Sequence, residues 1–69
     1  MLENFNAELI QKIAIKKEYR TLKSAIKDKA RMGYNYSYYI IYNEGTINLL
    51  RERGFKVEKY YGSSYKISW

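Results

Sequence analysis

Seven aromatic residues, Tyr36, Tyr38, Tyr39, Tyr42, Tyr60, Tyr61 and Trp69, are interleaved with four cations, Arg51, Arg53, Lys56 and Lys66. That mixture suits one kind of chemistry. An aromatic ring stacks on a flat base while an ammonium or guanidinium meets phosphate, and such stacking contributes ~1–3 kcal/mol per base. The densest part is the stretch YNYSYYIIY, with five tyrosines among residues 34–42. A second feature is YYGSSYK, where Ser63 and Ser64 follow a glycine. Unhindered amides and two hydroxyls can surround a phosphate there, with Lys66 close by. Glycine and serine are equally what a hairpin turn requires, and the motif is not a Walker loop, because G-x-x-x-x-G-K-[ST] is absent.

The chain has no cysteine and no histidine, which removes thiolate chemistry, the usual proton shuttle and the commonest metal ligand. The seven acidic residues are scattered. No pair is placed for acid–base work, and neither Ser63 nor Ser64 has a recognisable base. The expectation is a protein that binds without catalysing and that needs no cofactor or metal. A chain of 69 residues is one domain near the lower limit for an unaided core. The lack of cysteine fits a reducing cytoplasm, and an acidic rather than basic start argues against a signal peptide. No apolar run is long enough to span a bilayer, so no membrane partner is expected.

Thirteen Lys/Arg against seven Asp/Glu give a net charge of +6, which favours anionic partners such as nucleotides, nucleic acid or an acidic protein. The whole excess sits in residues 12–31, where eight basic residues face only Glu18 and Asp28. Exposed lysines suit phosphate contact rather than base reading, so sequence-specific DNA binding is not expected.

The elements that must position these groups follow an α-β-α-β-β order. From Leu2 to about Met32 there is no glycine or proline, and the composition reads as one long helix. Glu3 and Glu8 near its start and Lys27, Lys29 and Arg31 near its end complement the dipole, and Gly33 supplies the stop. TINLLRERG reads as a short helix with Thr46 as N-cap, Ile47 and Leu50 inward with Leu49 beside them, and Gly54 as stop. FKVEKY and YKISW are strands joined by the glycine–serine turn, and YKISW can lie between the other two strands, antiparallel to both. The expected fold class is α+β, with a long helix followed by β-α-β-β forming a small three-stranded mixed sheet.

Two features point outside the monomer. The helix carries one apolar line through Leu2, Phe5, Leu9 and Ile13, another through Ile15, Tyr19, Leu22, Ile26 and Ala30, and smaller residues (Ala7, Ile10, Ala14, Thr21, Ala25) between them. At ~1.5 Å per residue it is also about 45 Å long, far longer than short strands can cover. The spare stripe is expected to pack on a second copy, giving a homo-oligomer; a kink at Lys16 and Lys17 that folds the helix back is the alternative. Both faces of the tyrosine strand carry large rings, so a sheet covered on one side exposes several. These rings are either a stacking platform or an interface in the oligomer.

Thr46, Ile47, Leu50, Gly54, Phe55 and Val57, followed by Tyr65, Ile67, Ser68 and Trp69, form the pattern TI-x-x-L-x-x-x-G-[FY]-x-V with a Y-x-I-S-W ending. This pattern, covering residues 46–69, resembles that of very small phage and prophage proteins of low-GC Gram-positive hosts. The resemblance implies a virion part, a nucleic-acid binder or an inhibitor of host defence acting in the host cytoplasm. One inhibitor class sequesters cyclic nucleotide or ADP-ribose-derived immune signals. The leading expectation is therefore an oligomer that withholds an anionic nucleotide. Non-specific nucleic-acid binding and a protein–protein role are the alternatives.

Overall fold

A computed structural model describes residues 6–69. Helix α1 (Ala7–Arg31) leads, followed by strand β1 (Tyr36–Ile40), helix α2 (Glu44–Glu52) and the strands β2 (Lys56–Tyr61) and β3 (Ser64–Ser68). The sheet order is β1-β3-β2. Both pairings are antiparallel, with Ser37 and Val57 flanking Ile67 from either side. The central position of the third strand is as expected. The sheet is mixed only in that its two outer strands run parallel to each other without touching; every hydrogen-bonded pair is antiparallel.

Helix α1 begins at Asn6, whose Oδ1 accepts the Leu9 N–H at 2.9 Å and satisfies one of the open amides of the first turn. It ends at Gly33, whose φ of +96° is open to a residue without Cβ. There the Gly33 N–H reaches the Ala30 carbonyl and the Tyr34 N–H reaches that of Lys29, the paired closure of a Schellman motif. Helix α2 ends the same way at Gly54, through Gly54 N–H to Arg51 and Phe55 N–H to Leu50. Both predicted stops hold. The expected start at Leu2, with Phe5 and Glu3, lies outside the described residues. No kink interrupts α1 at Lys16 and Lys17, so that alternative fails.

Both helices pack on one side of the sheet. Leu22 and Ile26 of α1, Ile47 and Leu50 of α2, and Ile41, Val57 and Ile67 form the buried core, with Tyr19, Tyr39, Phe55 and Tyr65 packed around it. Of the apolar lines on α1, only the one through Ile15, Tyr19, Leu22 and Ile26 is covered, and Ala30 at its end is exposed. Leu9, Ile10 and Ile13 all remain exposed. The helix is 25 residues long, about 37 Å at ~1.5 Å per residue, and residues 7–14 have no buried side chain. This projecting end gives the chain its longest dimension of 46 Å against 24 and 18 Å.

Thr46 is not the N-cap of α2. The helix starts two residues earlier, with Asn43 in the capping position, and Thr46 is wholly buried inside its first turn. What fixes that start comes from α1. The Glu18 carboxylate accepts the Tyr42 N–H at 2.8 Å, the Asn43 N–H at 3.2 Å and the Asn43 Nδ2 at 3.0 Å. A negative charge at a helix N-terminus also meets the positive end of the dipole.

Candidate functional site

Alternation along β1 turns Ser37 and Tyr39 toward the helices and Tyr36, Tyr38 and Ile40 toward solvent. The antiparallel register then sets out the open face in rows. Tyr36, Ser68 and Lys56 form one; Tyr38, Lys66 and Glu58 form the next. Ile40 and Ser64 begin the third, where β2 carries an extra residue between Lys59 and Tyr61. That bulge re-aims the strand locally.

Tyr60, the extra residue, brings its ring to 4.9 Å from that of Tyr38, although β3 lies between their strands. Tyr38 in turn meets Tyr36 edge-on at 6.0 Å. The Lys66 ammonium stands 4.8 Å above the Tyr36 ring, a cation–π contact that holds the charge over the aromatic surface. The result is a continuous patch of three rings and a lysine drawn from all three strands. Tyr36, Tyr38 and Tyr60 are 44%, 48% and 67% exposed, open enough to accept a flat ligand. Lys56 adds a second cation at one margin, and Glu58 a single carboxylate beside Lys66.

The rest of the expected binding set is placed elsewhere. Tyr39 faces the helices and packs on the core; its hydroxyl is buried without a hydrogen-bond partner among the described residues. It is a core residue, because the strand period puts it opposite Tyr36 and Tyr38. Trp69 lies past the end of β3, where its indole N–H donates to the Tyr34 carbonyl at 3.1 Å and its backbone N–H to Asn35 at 3.1 Å. It ties the chain to the α1–β1 connection rather than joining the patch. Tyr42 and Tyr61 project from the ends of their segments, 78% and 80% exposed.

Gly62 and Ser63 make a two-residue turn in which Gly62 has φ +56°, the form in which glycine leads a tight hairpin. The Ser63 carbonyl accepts the Ile41 N–H at 3.0 Å. Ser64 continues into β3 on the open face. The turn is accounted for by backbone geometry.

Arg51 and Arg53 are on the helix side, behind the sheet. Arg51 donates to the Val57 carbonyl at 2.8 Å, bracing α2 against β2. Arg53 places its guanidinium 5.9 Å from the centre of the Tyr19 ring on α1. Helical rather than strand periodicity governs both, so neither can serve the patch in the same protomer.

Glu18 is legible in the sequence only as an interruption in the basic run, yet its carboxyl pKa is lowered in the fold. Burial is the largest single influence and pushes it up. Hydrogen bonds from the Tyr42 N–H, the Thr46 hydroxyl, and the Asn43 side chain and N–H together outweigh burial and hold it below the ordinary 4.5. The Thr46 hydroxyl favours the charge from close by but falls short of a well-formed hydrogen bond. Its role is structural.

Among the described residues no group of acidic side chains could hold a metal ion, and no helix is long and apolar enough to cross a membrane. Comparison with known protein families, with curated proteins and with solved structures finds no match to this chain.

Proposed function

We propose that the protein is a non-enzymatic binder of anionic nucleotides, acting as a homo-oligomer through the open face of its sheet. The observation that carries this is the meeting of Tyr36, Tyr38, Tyr60 and Lys66 on the side of the sheet that no helix covers. Rings of this kind stack on any base, and a lysine among them neutralises the attached phosphate. The patch is flat, so a second copy supplies the wall that a small nucleotide needs. The projecting end of α1, with exposed Leu9, Ile10 and Ile13, offers a surface on which that copy can dock. In its narrowest form the proposal is a phage-type protein in the host cytoplasm that sequesters a cyclic nucleotide or ADP-ribose-derived immune signal. That step rests on the resemblance of residues 46–69.

The test combines native mass spectrometry with titration calorimetry against cyclic dinucleotides, cyclic trinucleotides and ADP-ribose derivatives. The expected result is a discrete oligomer that gives heat with one ligand class. Tyr38→Ala or Tyr60→Ala should weaken that binding by the ~1–3 kcal/mol of a lost stack, roughly 5- to 150-fold. No heat with any member of the panel, or unchanged affinity in both variants, refutes the proposal.

A further inference from the structure

Behind the sheet, α1 and α2 enclose two adjoining hollows that share Tyr19 and Arg53. One, of ≈ 340 Å³, takes Lys23 and Lys27 along its side over a floor of Ile26 and Phe55. The other, of ≈ 430 Å³, takes Lys12 and Lys16 over Ile15 and Leu49. Lys12, Lys16, Tyr19, Lys23 and Lys27 follow a 4-3-4-4 spacing, which keeps them in line along one side of the helix. At ~1.5 Å per residue the row runs about 22 Å.

Arg53 reaches across from α2 to complete the opposite wall. Five cations therefore border a single trench, and no carboxylate lines either hollow. Glu8, one turn before Lys12, marks the end of the row. Glu18 lies within the same span of helix but is turned to the α2 N-terminus and occupied there. Among the described residues the salt bridge is Arg31–Asp28, so none of the five cations is neutralised by an ion pair.

We infer that this trench holds the sugar–phosphate backbone of a single-stranded nucleic acid. The charges are strung out rather than gathered: lysines about 22 Å apart cannot converge on one phosphate, whereas a linear polyanion meets each in turn. Lysine also contacts phosphate as a point charge without reading sequence. The apolar floor and the Tyr19 ring suit sugars and unpaired bases. Each hollow has the volume of a small-ligand site, so the trench admits a strand nucleotide by nucleotide, while a duplex would touch only its rims. The site is independent of the tyrosine patch, which faces the other way.

The test is fluorescence anisotropy with a labelled oligothymidylate long enough to span the row, with the matching duplex and with a polyglutamate peptide, over a range of salt. The strand should bind tightest. Its log K should fall against log salt with a slope of about −0.7 per phosphate neutralised, about −3.5 with all five cations engaged. Lys16→Ala/Lys23→Ala, at two exposed positions that leave the core intact, should flatten the slope by about 1.4. Lys66→Ala, which removes a cation of the patch that lies outside the trench, should leave the slope unchanged, whereas a strand held on the patch would lose about 0.7 of it. Binding that ignores salt, equal or tighter binding of the duplex or of polyglutamate, or a lysine variant that matches the parent chain overturns the inference.

Discussion

Replacing Glu18 should loosen the start of α2 by an amount that its contacts allow to be worked out. Three N–H groups converge on this carboxylate at 2.8–3.2 Å. A hydrogen bond to a charged group contributes about 1.5–3 kcal/mol when fully sheltered. This site is half-exposed, so water takes over part of the work after substitution, and Glu18→Ala should cost about 2 kcal/mol in all. For a domain of this size that is a fall in Tm of about 8–16 °C. Glu18→Gln keeps one acceptor oxygen and the side-chain shape but not the charge, and should cost about half as much.

The pH dependence gives the sharper check. The folded-state pKa lies below the ordinary 4.5, so the folded state holds its proton less tightly than the unfolded one. The Glu18 contribution is therefore complete above the unfolded value and is lost as pH falls through the lower folded value. Thermal melts of the parent chain and Glu18→Gln, followed by circular dichroism from neutral pH into acid, should show a gap that closes only below pH 4.5. A gap that persists unchanged to the acid end, or a Glu18→Ala Tm within the error of the parent's, refutes the reasoning.

Two further outcomes follow from the packing. Tyr39→Phe removes a buried hydroxyl that has no partner among the described residues, and should raise the urea midpoint by the equivalent of about 1 kcal/mol; a lower midpoint would mean the hydroxyl is bonded. Gly45 lies against Ile15, and a Cβ there would collide with the Ile15 Cδ1. Gly45→Ala should thus forfeit most of the ~1 kcal/mol that its better helix propensity would bring, because Ile15 must turn its flexible end aside. Ile15→Val, which removes the colliding atom, should restore it in the double variant; simple additivity of the two changes would exclude the contact.

Local patterns carried most of the fold. The absence of glycine and proline before Gly33, and the glycines at the two helix ends, are signals that act within a few residues. The central place of β3 followed from chain order and short connections. The start of α2 escaped because it is set by Glu18, 25 residues earlier, and nothing near Thr46 betrays that contact. Period-two alternation was enough to mark Tyr36, Tyr38, Lys56 and Lys66 as one face. It also put Tyr39 on the opposite face, but because both faces of β1 carry rings it could not say which of the two looks inward. Arg51 and Arg53 read in the sequence as cations for the same rings, but α2 and its C-terminal end hold them behind the sheet. The lysine row was visible as charge but not as a trench, because its far wall is a single arginine from another helix.

The position of β3 between two strands that precede it in the chain also dictates an order of assembly. On a ribosome, β1 and β2 emerge first, yet neither can pair with the other. Tyr36 waits for Ser68, a partner 32 residues later, and the closing of such a distant contact is intrinsically slow. Until then only the helices have local means of forming, and the apolar sides of Val57 and Ile41 stay uncovered. The sheet is thus completed in one late step, and a nascent chain halted before β3 has no partial sheet to fall back on.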